Sequence, residues 1–188
     1  MHSLAHLLTQ SQMSGVAMGH FNVSDTTLLK AVFTSALEEQ VPILVGVSEG
    51  ERQFIGTRQI EAVVHSLRDE FDYPVFLNAD HTHSLVGAVE AAKCGFDAIT
   101  FDRSVLPFEQ NISETRQAIE ILKSIDPSII IEGEIGEIGT GSEIHEGNTV
   151  ESSRLTTPEE ARQYVEATHI DVLAPAVGNR HGLLKSMV

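Results

Sequence analysis

The chain has 188 residues, 41% of them hydrophobic and 21% charged, which suits a single folded domain with a sizeable core. A formal net charge of −15 makes nucleic acid and anionic membrane surfaces poor partners, and no apolar run reaches transmembrane length. Cys94 is the single cysteine, so no internal disulfide can form; that fits a reducing cytoplasm, and the N-terminus lacks a basic-then-apolar leader pattern.

In chain order, Ser3 to Met13 reads as a short amphipathic helix stopped by Ser14-Gly15, with His2 and His6 taken as solvated. Val16 to Val23 reads as a first strand, and Ser24-Asp25 starts a helix that runs to Gln40. Pro42 to Ser48 is a second strand, and Thr57 to Phe71 a helix with Ile60, Val63, Val64 and Leu67 on one face. Pro74 to Asp80 is the third strand, an apolar run of the kind buried on both faces of a parallel sheet. Leu85 to Cys94 is a helix closed by Gly95, where Cys94 is expected as a buried inert thiol. Asp97 to Asp102, a helix over Ser113 to Ile125, and Ile129 to Ile135 follow. Glycines 136, 139, 141 and 147 then mark a loop to about Ser153, read either as a surface loop or as a mobile lid carrying Glu143. His145 in it is read as solvated. Thr157-Pro158-Glu159-Glu160 is a capping box with proline at the first helical position, opening a helix to about Thr168. Ile170 to Val177 is the sixth strand.

Strands alternating with helices, with no tight hairpin, predict an all-parallel α/β sheet, either open or closed into a barrel. No GxGxxG follows the first strand, which weakens a dinucleotide site. Polar and metal-binding types stand at every strand end: Asn22, Ser48, Asp80-His81, Asp102, Glu132 with Glu134, and His181. Asp80 could simply cap the next helix while His81 bonds a carbonyl. Chemistry spread over many strand ends instead points to a barrel, where that rim holds the active site.

The stretches FNVSD, ADHTHS, GFDAITFDRSVLPFEQNI, IEGEIGEIGTGSE, LTTPEEA and VGNRHGLLK together resemble class II, metal-dependent ketose-bisphosphate aldolases over nearly the whole chain. The resemblance implies a (β/α)8 TIM barrel of which this chain carries about the first six βα units, as one incomplete domain. It implies a zinc-dependent lyase that cleaves fructose or tagatose 1,6-bisphosphate to glycerone phosphate and glyceraldehyde 3-phosphate. In that reading Asp80 is the acid/base and Glu143 the loop's proton carrier. His81 and His181 are zinc ligands, and Asp102 and Glu134 line a secondary metal position. Asn22, Ser48, Gly182 and Lys185 touch substrate, the Gly182 backbone binding the phosphate or a monovalent cation; some relatives carry a tyrosine before that lysine, where this chain has Leu184. The partners implied are a phosphorylated sugar and, in the intact form, further copies of the same chain. No lysine falls within a strand, which disfavours a Schiff-base route. Two further strand–helix units, with the third zinc histidine, a GGS-type phosphate loop and an NxD stretch, are expected outside these residues. The 188-residue chain alone is therefore expected to self-associate and to show little aldolase activity. The alternatives are an inactive remnant, or a related metal-dependent barrel lyase acting on a phosphorylated keto acid.

Overall fold

The computed structural model describes residues 2–136, 138, 144–145, 155–178 and 183–184. Helix α1 (Leu4–Ser14) starts on a Ser3 cap and ends at Gly15, whose φ of 69° is glycine's territory. Strand β1 (Gly19–Asn22) and helix α2 (Thr26–Glu39) follow, with the Asp25 carboxylate accepting from Thr27 and Leu28 N–H groups. Strand β2 (Ile43–Val47) leads into helices α3 (Glu49–Ile55) and α4 (Thr57–Phe71), then strand β3 (Val75–Thr82). Helix α5 (Leu85–Cys94), strand β4 (Ala98–Phe101), helix α6 (Phe108–Ile125) and strand β5 (Ile130–Ile135) continue the alternation. Strand β6 (Ile144–His145), helix α7 (Pro158–Thr168), strand β7 (Val172–Pro175) and strand β8 (Leu183–Leu184) complete the described elements.

Six strands form one parallel sheet in the order β1-β2-β3-β4-β5-β7, and β6 pairs in parallel with β8. This is the strand–helix order of a TIM barrel, six units of it, as the sequence predicts. Side chains alternate along each strand. Val45, Val47, Leu77, Ile99 and Ile131 face the surrounding helices in the largest core cluster. Leu44, Phe76, Ala98, Ile130 and Val172 face the other way, and at the strands' N-terminal end α1 covers them with Leu4, Leu7 and Leu8. Burying side chains of this size contributes roughly 1.5–3 kcal/mol each.

The helices over Thr57–Phe71 and Leu85–Cys94 run as predicted; Cys94, expected buried, is half-buried and packs against the core. Several boundaries differ, and one helix is new. The first strand is only Gly19–Asn22 because its ladder with β2 runs from Gly19↔Ile43 to Asn22↔Gly46, leaving Val16 exposed. The sixth predicted strand narrows to Val172–Pro175, the residues that find partners on β5. Helix α6 begins at Phe108 rather than Ser113, since Gln110 and Asn111 N–H groups already bond the Pro107 carbonyl. Helix α3 has no counterpart in the sequence-based expectation. Its signal was present: Ser48 and Glu51 form a reciprocal capping box.

Candidate metal and acid/base site

The C-terminal ends of the strands carry the polar residues. Strand β3 reaches past Asp80 to Thr82, and its register with β4 shifts between Ala79 and Thr82. Within that bulge His81 has φ 92°, a region that favours glycine and costs other residues roughly 1–3 kcal/mol. Regular alternation would send Asp80 and His81 to opposite faces. The bulge turns both inward: Asp80 Oδ2 accepts a 2.5 Å hydrogen bond from Asn22 Nδ2, and His81 Nδ1 lies 3.1 Å from Asp102 Oδ2. Thr82 then points outward, where Arg52 of α3 meets it.

His81, Asp102 and Glu134 each offer an atom within 4.8 Å of the others, a set able to hold a metal ion. Asp102 and Glu134 are buried, and His81 Nδ1 is 3.9 Å from Glu134 Oε2. His83 Nδ1 approaches Asp102 Oδ2 to 3.7 Å from the exposed side. One imidazole and two carboxylates suit a divalent cation of the zinc or manganese kind. The charges respond to this crowding. The Asp102 hydrogen bond raises His81 to about 9, against burial. Burial acts to raise Asp102, but hydrogen bonds from His81 and Ser104 outweigh it and hold the carboxyl below the usual range. Burial, with the neighbouring Asp102 charge, pushes Glu134 up to about 7. Near neutral pH and without a cation, His81 thus keeps its proton and Glu134 part of a second, and a bound cation would displace both.

A buried polar layer lies beneath. Asn78 Nδ2 donates to Thr100 Oγ1 at 3.0 Å, and Thr100 Oγ1 donates to Glu132 Oε2 at 3.1 Å. Burial raises the Glu132 pKa. Gly46 on β2 makes room here: a Cβ at that position would collide with the His20 and Asn22 side chains. Beside Asp102 and Glu134 opens a cavity of about 580 Å³, lined also by Ser104, Phe108, Ile135 and Thr156. Asn111 holds its wall by donating to the Glu134 carbonyl at 2.9 Å, while Tyr164 donates to Asn111 Oδ1.

Of the residues expected from the sequence, the structure brings together Asn22, Asp80, His81, Asp102 and Glu134. Ser48 sits at the end of β2, but its hydroxyl accepts from Glu51 N–H as a helix cap. Glu143, His181, Gly182 and Lys185 lie outside the described residues. Sequence reasoning missed Arg52, Thr100, Asn78 and Asn111. The Ser48–Glu51 capping box signals the helix that carries Arg52, but not the burial of Arg52 itself.

Comparison with known proteins bears on this geometry. The family model described as "Fructose-bisphosphate aldolase class-II" matches residues 2–187. A Bacillus subtilis (strain 168) protein named "Probable fructose-bisphosphate aldolase" is 32% identical over 186 residues, covering 97% of this chain and 64% of that protein. A "Fructose-bisphosphate aldolase" of Staphylococcus aureus strain Mu50 is 30% identical over 188 residues, with 97% and 63% covered. The crystal structure of the YdjI aldolase from Escherichia coli K12 superposes with a TM-score of 0.82 at 24% identity, over 96% of this chain and 64% of that one; this likeness concerns the fold. The chain thus spans under two thirds of the length of these relatives.

Proposed function

The chain belongs to the class II fructose-bisphosphate aldolase family, and on that premise we propose that it supplies the metal and acid/base half of a zinc-dependent aldolase site for a ketose 1,6-bisphosphate. The observation that carries this reading is the convergence of His81, Asp102 and Glu134 beside Asp80 at the C-terminal rim of a parallel sheet. When bound there, a divalent cation supplies Lewis acidity toward the substrate carbonyl. His81, Asp102 and Glu134 would hold it, together with His181.

Asp80 takes the proton of the substrate's C4 hydroxyl as the C3–C4 bond breaks. C4 becomes the aldehyde of glyceraldehyde 3-phosphate, and the electron pair stays on C3. Asn22 fixes Asp80 by donating to Oδ2, while Oδ1 lies 3.7 Å from His81 Nε2. Glu143 returns a proton to C3, giving glycerone phosphate. Gly182 and Lys185, with a monovalent cation, hold a phosphate, and Ser48 closes the site's edge. The working form in this reading is a cytoplasmic homo-oligomer.

The test is zinc content per chain together with cleavage of fructose and tagatose 1,6-bisphosphates. Zinc bound in wild type and lost in Glu134→Gln supports the centre. Cleavage of either sugar, abolished in Asp80→Asn with zinc retained, supports the reaction. Zinc that binds equally in His81→Ala would overturn the assignment.

A further inference from the structure

Helix α3 carries a charge that the site described so far does not use. Arg52 is 6% exposed, and its side chain bonds no described carboxylate. Its guanidinium instead meets the backbone and side chain of the two strands that frame the site. Nη1 donates to the Val47 carbonyl at the end of β2 at 2.6 Å and to the Asp80 carbonyl at 3.3 Å. Nη2 donates to Thr82 Oγ1 at 2.9 Å, and that hydroxyl donates to the Ala79 carbonyl at 3.3 Å. The residues engaged on β3 are therefore those on either side of His81, the residue with positive φ. A buried cation is costly unless its donors are satisfied, and a planar fork can satisfy several fixed acceptors at once.

Resting on the metal-site reading above, we propose that Arg52 is a positioning residue: its guanidinium clamps the β3 bulge from the outer face and holds His81 turned inward, aimed at Asp102 and Glu134. The strain at His81 persists only if its surroundings over-determine it. Inside the barrel, His81 is held by the Asp102 hydrogen bond; outside, the bulge is held by Arg52 through Asp80 and Thr82. Asp80 is fixed by the same clamp through its own carbonyl, so acid/base and metal ligand are positioned together.

Two readouts on the 188-residue chain test this. The HN–Hα coupling of His81 by NMR reads its φ without any metal. Binding of Co²⁺, followed by its visible absorption, reads the aim of the imidazole. Arg52→Met is expected to move the coupling toward the value of extended backbone and to weaken Co²⁺ roughly 10–100-fold, the usual worth of an outer partner of a metal ligand. Arg52→Lys, a point charge that cannot bridge Asp80 and Thr82 together, should fall between. If Arg52→Met does not fold, Thr82→Val removes one acceptor and should shift both readouts in the same direction by less. A lowered melting temperature with coupling and Co²⁺ affinity both at wild-type values would reduce Arg52 to a structural role and overturn the proposal. So would wild-type behaviour of both readouts in Arg52→Lys. Should His81→Ala leave Co²⁺ binding unchanged, the metal reading falls instead, and the coupling still decides the clamp.

Discussion

The two ends of the six-stranded sheet use one backbone pattern for opposite purposes. At the N-terminal end, Leu44, Phe76, Ala98 and Ile130 meet the apolar face of α1 and need nothing but volume. At the C-terminal end the same inward positions carry Asp80, Asp102 and Glu134, two of them buried carboxylates a few ångströms apart. Between them, Asn78, Thr100 and Glu132 form a hydrogen-bonded transition. The apolar end tolerates error because any well-packed residue serves. The polar end is costly: each buried charge needs a partner, and one residue is strained. Apolar packing occupies one end and polar, titratable groups the other, the division expected of barrels.

The largest expected effect breaks the polar end alone. Asp80→Asn, in material that cleaves bisphosphate, should lower turnover by roughly 10²–10⁴ and leave melting temperature and metal content near wild type. Steady-state kinetics with metal analysis checks it, and near-normal turnover would remove Asp80 from the acid/base role. Next, Phe76→Ala breaks the apolar end: loss of a buried phenyl ring should cost about 3–5 kcal/mol in denaturant unfolding while metal affinity among folded molecules stays unchanged. Loss of metal affinity in that variant would show the ends to be coupled.

A pH series sharpens the comparison without mutation. Metal binding requires His81 neutral and Glu134 ionised, and both pKa values are raised, to about 9 and about 7. Apparent affinity should therefore rise about tenfold per pH unit between 7 and 9, and more steeply below 7. Without metal the sign reverses. The stability contributed by protonated His81 is fully present below its ordinary 6.5 and is lost as pH rises through about 9. Glu134 loses stability in the same direction between 4.5 and about 7, as its buried carboxyl ionises. Calorimetric titration and thermal melts across pH 5–10 check the two signs; a metal-free chain that gains stability from pH 7 to 9 would contradict the His81–Asp102 pairing. The smallest effect is local. Ser84 caps α5 by accepting from Gly87 N–H, so Ser84→Ala should cost about 1 kcal/mol and leave metal binding unaltered.

The sequence alone determined the alternation of strands and helices, because apolar runs, capping residues and terminal glycines are local signals that tertiary contacts did not override. Thr57–Phe71, Leu85–Cys94 and the Thr157 capping box are read directly from such signals. It also named Asp80, His81, Asp102 and Glu134, since charged and metal-seeking types at the ends of apolar runs stand out in one dimension. It could not aim them. Strict alternation puts Asp80 and His81 on opposite faces, and only the shifted register between β3 and β4 turns both inward. Nor could it give Arg52 a place: a lone arginine on a short helix looks solvated until Val47, Asp80 and Thr82 surround it. The physical reason is the same in both cases. Propensity and periodicity are properties of neighbours along the chain, whereas strain and buried charge are compensated mostly by partners distant in sequence, and only folding brings those together.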